Sequence, residues 1–157
     1  MSRMGFEVDG IHHLTLNVTD LEASRAFYTG VLGFVPDQDF PGEKLRYRIG
    51  PYTRLVLVPP LPGTPEGDRF SELRVGLDHV SLGVKSRAEL ERLVDVLRAA
   101  GVATQGIQYD ALGPGVVCFR DPDNIAWEFF EQPSGGSVGG EKPGEAELDS
   151  GGTGNLT

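Results

Sequence analysis

The chain has 157 residues, 39% of them hydrophobic and 24% charged, with a formal net charge of −9 at pH 7. That length suits one domain with a real core, or two small modules sharing one, and the acidic balance excludes a nucleic-acid surface, which needs a basic patch. With no run near the roughly 18 apolar residues of a membrane span, no apolar h-region at the N-terminus and a single Cys118, the expectation is a cytoplasmic protein that meets small molecules.

Residues 1–8 read as an N-terminal extension. Ile11–Val18, IHHLTLNV, alternates apolar with small or polar residues, as a half-buried strand does. Neighbouring side chains of a strand point to opposite faces, so His12 and His13 are expected on different sides. DLEASRAFYTGVLGF follows, with Leu21, Ala26, Phe27, Val31 and Leu32 at helical spacing and Gly33 where a C-terminal cap is wanted. A strand around residues 34–39 comes next, then KLRYRIG and TRLVLVPP, hinged at Gly50-Pro51. Residues 61–75 form a Pro/Gly-rich linker.

The plan then repeats. Leu77–Val84, LDHVSLGV, matches the first strand at an offset of 66 residues, with His79 on His13 and Asp78 on His12. SRAELERLVDVLRAAGV places Leu90, Leu93, Val94 and Leu97 on one helix face and ends at Gly101. Ser86 and Glu89 fit a capping box. A strand around residues 102–109 precedes GVVCFRD and IAWEFFEQP, which are separated by the turn Asp121-Pro122-Asp123-Asn124. From Pro133 the chain is Gly-rich, with four acids against Lys142 and few apolar residues, and residues 133–157 read as a disordered tail. Residues 9–132 thus form one domain of two modules, about 9–60 and 76–132.

The repeat selects His13 over His12, because only His13 has a histidine counterpart. Asp78, the counterpart of His12, suits a solvated face. Glu128 is a carboxylate inside an apolar strand and needs a partner there. Two imidazoles and one carboxylate on one side of an ion would leave positions open for water or substrate. The alternative is a protein that only binds in the same cavity. Arg46 and Arg48 share one strand face and are candidates for an anionic substrate. Cys118 reads as a small buried hydrophobe.

HLTLNVTDLEASRAFYTGVLGF, LDHVSLGV and FRDPDNIAWEF together resemble the vicinal oxygen chelate superfamily over about residues 9–132. That superfamily contains glyoxalase I, extradiol dioxygenases, methylmalonyl-CoA epimerase, fosfomycin-resistance enzymes and bleomycin-resistance proteins. The resemblance implies an α+β fold of two βαβββ modules forming an open eight-stranded cupped barrel. It also implies one divalent metal (Fe, Mn, Ni or Zn) on His13, His79 and Glu128. A homodimer is implied too, of a kind that often shares each metal site between two chains and otherwise forms it within one, performing isomerase, lyase or dioxygenase chemistry. Tyr109 and Asp110 fall in a loop that lines the pocket in family members, and Tyr109 is a candidate catalytic or substrate-binding group. A fourth ligand on the last strand of the first module is absent, since its inward candidates read as Leu55 and Leu57. Cys118 stands where extradiol dioxygenases usually carry a tyrosine. The bleomycin-resistance proteins imply the alternative of a metal-free, drug-sequestering protein.

Overall fold

The computed structural model describes residues 7–109 and 113–132. The tail assigned as disordered, residues 1–6 and Asp110 lie outside the described residues.

Each half of the chain builds a four-stranded sheet with one helix against it. In the first half, β1 (His13–Asn17) leads to α1 (Leu21–Arg25), then β2 (Pro36–Phe40), β3 (Lys44–Arg48) and β4 (Arg54–Val58). In the second, β5 (Val80–Val84) leads to α2 (Arg87–Ala99), then β6 (Gln108–Tyr109), β7 (Gly115–Arg120) and β8 (Ala126–Glu131). The strand orders are β1-β4-β3-β2 and β5-β8-β7-β6. β1 runs parallel to β4, and β5 to β8, with the remaining pairs antiparallel. A parallel pair needs a long crossover, which each helix and its two following strands provide. The fold is α+β, with two cupped sheets of matching topology. Within one chain the eight strands stay in two separate sheets instead of one continuous barrel wall.

Local sequence accounts for several helix ends. Asp20 caps α1 by accepting from the N–H groups of Glu22 (2.8 Å) and Ala23 (3.0 Å). Beyond Arg25 the helix continues as a π-helical segment, Ala26–Val31. Its wider winding lets the adjacent residues Phe27 and Tyr28 both turn into the core. Gly33 and Gly101 close the two helices with φ of +71°, a conformation glycine adopts without steric cost. The capping box expected at α2 does not form: Ser86 makes no side-chain cap hydrogen bond, and only its carbonyl accepts from Glu89 N–H. The strand expected around 102–109 is confined to Gln108–Tyr109, and that expected around 34–39 is Pro36–Phe40.

One core joins the halves. Leu16, Leu45, Tyr47, Leu55 and Leu57 of the first sheet are buried in the same cluster as Val117, Phe119 and Trp127 of the second. Tyr28 lies between them, 6.1 Å from Tyr47 and 5.7 Å from Trp127 by ring centroids. Its hydroxyl donates to Asp121 (2.6 Å) and accepts from the Trp127 indole N–H (3.0 Å). Burial, then the Asp121 charge, pushes the Tyr28 phenol far above its ordinary range, so it stays a donor. The D-P-D-N turn is therefore a clasp. Asp121 also accepts from the N–H groups of Asp123 (3.0 Å) and Ile125 (2.7 Å). Asp123 accepts from the Thr19 N–H (3.0 Å) and hydroxyl (2.5 Å) across the module boundary. Because both helix-side faces point into this shared core, the opposite face of each sheet looks away from it.

Candidate metal centre on two open sheet faces

Strand alternation decides what the open faces carry. On the second sheet, Ser81 stands opposite Glu128, and Glu128 opposite Cys118. Trp127, one residue from Glu128, points the other way into the core. The Ser81 hydroxyl donates to Glu128 Oε1 at 2.8 Å. Glu128 Oε2 lies 3.9 Å from His79 Nε2. His79 Nδ1 is engaged by Asp78 Oδ1 at 2.6 Å, so Nε2 is the nitrogen left facing the carboxylate. A distance of 3.9 Å is too long for a hydrogen bond and within the roughly 4.2 Å spanned by two ligand bonds to one ion. The donor set of one imidazole, one carboxylate and a hydroxyl steadying that carboxylate fits part of a divalent-metal site.

On the first sheet the matching row is Thr15, Val56 and Arg46. Val56, an apolar side chain, thus occupies the place of Glu128. The open face of β4 consists of Arg54, Val56 and Val58, whereas Leu55 and Leu57 are fully buried on the helix side. The inward candidates named from sequence belong to the wrong face, although neither set contains a metal ligand. His13 is exposed at the start of β1 on the open face. Among the described residues no group of three His, Cys, Asp or Glu side chains converges. One chain brings His79 and Glu128 together and holds His13 on the other sheet.

Other candidates move as well. His12 precedes the strand, so alternation does not separate it from His13; their Nδ1 atoms lie 2.9 Å apart. Tyr109 pairs with Gly115, whose neighbours are Arg87 and Leu90 of α2. Its ring sits against the Arg87 guanidinium and its hydroxyl accepts from it, on the helix side and away from Glu128. Cys118 is exposed and not a core residue, because its place opposite Glu128 puts it on the open face. Partial desolvation by the residues around it, followed by the Glu128 charge, raises the thiol pKa and keeps it protonated. Arg46 does face the open side, where Asp37 takes its guanidinium at 2.8 and 3.2 Å. Arg48 is exposed on the same face.

The family model of the Glyoxalase/Bleomycin resistance protein/Dioxygenase superfamily matches residues 10–129, both modules included. The chain belongs to this superfamily. Among its relatives in the glyoxalase superfamily is the uncharacterized protein YwkD of Bacillus subtilis (strain 168), 33% identical over 129 residues, covering 78% of this chain and 96% of that protein. A glyoxylase/bleomycin resistance protein/dioxygenase domain from Frankia sp. EAN1pec superposes with a TM-score of 0.71 at 31% identity. That match covers 81% of this chain and all of the other (100%). A glyoxalase-related enzyme from Fulvimarina pelagi superposes with a TM-score of 0.63 at 26% identity, covering 80% and 90% of the two chains. The glyoxalase superfamily includes lyases, isomerases and dioxygenases, and its members often use divalent metals. Among the described residues no helix is long and apolar enough to cross a membrane.

Proposed function

We propose that this protein is a cytoplasmic, divalent-metal-dependent enzyme that acts on a small molecule bearing vicinal oxygens. The metal is held by His13 of one chain and by His79 and Glu128 of a second copy. What carries this reading is the placement of the open faces. His79 and Glu128 approach each other on one sheet and His13 stands on the other, in a chain whose described residues bring no three donors together, and a second copy would complete the set. β1 and β5 are both edge strands, and an unpaired edge is a ready surface for association. The linker adds exposed apolar side chains, Leu61, Leu73 and Val75, of the kind a partner covers.

A bound metal would act as a Lewis acid on the substrate's vicinal oxygens or, if iron, as an oxygen activator. Three protein ligands leave positions open for substrate. Ser81 holds one oxygen of Glu128 and leaves the other to face His79. Cys118, its neighbour across the ladder and a neutral thiol, contributes no second acid beside it. The alternative is metal-free binding in the same cavity, in which Glu128 keeps only Ser81 and the more distant His79 as partners.

Metal content tests this directly. Purified wild-type protein reconstituted with Zn²⁺, Mn²⁺, Ni²⁺ or Fe²⁺ should hold about one ion per chain after desalting. His13→Ala, His79→Ala and Glu128→Ala should each lose at least tenfold in affinity, as removing a ligand does. A wild-type protein that retains none of the four would sink the proposal.

A further inference from the structure

A protein of net charge −9 gathers cations on the open face of its first sheet. His13 stands opposite Arg54, and Arg54 opposite Arg48, in one row across β1, β4 and β3. Adjacent strands lie about 4.8 Å apart, so the three side chains are neighbours. Lys44 and Arg46 follow along β3. Among the described residues one carboxylate serves this group: Asp37, bonded by Arg46 and 3.5 Å from Arg54 Nε. The Arg46 hydrogen bonds, with the Arg46, Arg54 and Arg48 charges, hold the Asp37 carboxyl below its usual range. Arg54 also donates to the Tyr52 carbonyl (2.9 Å), which sets its direction without neutralising it. Among the described residues Arg48 forms no ion pair. Like charges directly opposite on adjacent strands repel, and a bound anion would reverse that.

We propose that Arg48 and Arg54 bind an oxyanion of the substrate, a carboxylate or phosphoryl group a few atoms from the oxygens that chelate the metal. This rests on the reading of His13 as a ligand, and the test separates the two. In metal-free protein, titration with inorganic phosphate or succinate should shift amide resonances of β1, β3 and β4, and Arg48→Gln/Arg54→Gln should abolish the shifts. In metal-loaded protein, succinic monohydroxamate should bind at least tenfold tighter than acetohydroxamate, which has the same chelating group without the carboxylate. The double variant should erase that difference and leave acetohydroxamate affinity unchanged. Shifts that survive the double substitution, or a variant that loses only dimerisation, would overturn the proposal. Failure of the metal reading would show instead as hydroxamates that do not bind while the anion shifts persist.

A separate observation concerns the residue before each histidine. Asp78 and His12 occupy equivalent positions in the repeat, and each engages the Nδ1 atom of the next histidine, at 2.6 and 2.9 Å. A carboxylate only accepts, so at 2.6 Å Asp78 takes an Nδ1–H of His79, the tautomer that frees the Nε2 lone pair. Between His12 and His13 only one Nδ1 of the neutral pair carries hydrogen, and a free His13 Nε2 requires that His12 accept. We infer that His12 and Asp78 are positioning residues that set the ligand tautomer. Long-range ¹H–¹⁵N spectra of metal-free protein above pH 8 should show His13 and His79 protonated at Nδ1. His12→Ala and Asp78→Ala should each move the proton of the adjacent histidine toward Nε2, and His12→Asp should restore it. Zn²⁺ affinity should fall about 10–100-fold in the alanine variants. Unchanged tautomers would overturn the inference. Changed tautomers with no Zn²⁺ binding even in the wild type would overturn the metal reading alone.

Discussion

Mixing His13→Ala protein with Glu128→Ala protein should regenerate metal sites that neither variant has alone. Each variant homodimer lacks one ligand at both sites. A mixed dimer joins intact His13 from one chain with intact His79 and Glu128 from the other, so one of its two sites is whole. Free exchange of equal amounts makes half the dimers mixed, and about one quarter of wild-type sites should return, as two-fold symmetry dictates. Metal content after brief unfolding and joint refolding measures this. A mixture as empty as its components would overturn the shared site. The expected recovery is specific to crossed pairs. His79→Ala with Glu128→Ala should recover nothing, because those residues serve the same sheet face.

Tyr28→Phe should be strongly destabilising although it removes a single oxygen atom. The hydroxyl is fully buried and joins Asp121 to Trp127. Its loss leaves a buried carboxylate oxygen and a buried indole N–H unpaired at once, and each such group costs about 1–3 kcal/mol. An unfolding free energy lowered by about 2–4 kcal/mol in urea is the expected result, and a loss under about 0.5 kcal/mol would refute the clasp. The same carboxylate sets a pH dependence. Burial, more than its hydrogen bonds offset, raises the Asp121 pKa above its unfolded value. Between the two values the folded state binds the extra proton, so this group's contribution to stability is full below the unfolded pKa and is lost as pH rises through the folded one. Asp121→Asn should flatten the stability profile in that acidic window.

The two modules were legible from the chain because strand and helix periodicities are local. Repeated apolar positions at 66 residues' offset, glycines at both helix ends and a turn before the last strand all act within a few residues. His13, His79 and Glu128 stood out for the same reason, since equivalent strands repeat the first pair and an apolar strand isolates the third. Face assignment was harder. Leu55 and Leu57 pass for cavity residues until the pairing of β1 with β4 sets Thr15 beside Val56. Tyr109 depended on which side of a two-residue strand it leaves, and Cys118 on its partner across the ladder.

Residue types and spacing by themselves determined the paired modules and singled out three candidate donor groups, while the cupped fold was implied by the family resemblance. Only tertiary structure decided how those groups are distributed. Tyr28, Asp121 and Trp127 lie 93 and 99 residues apart in pairs across the clasp, and no local pattern encodes their meeting. By packing both helix-side faces on one core, that contact leaves both open faces outside it. It leaves His13 on one sheet and His79 with Glu128 on the other, because a side chain's neighbours depend on which faces the core consumes.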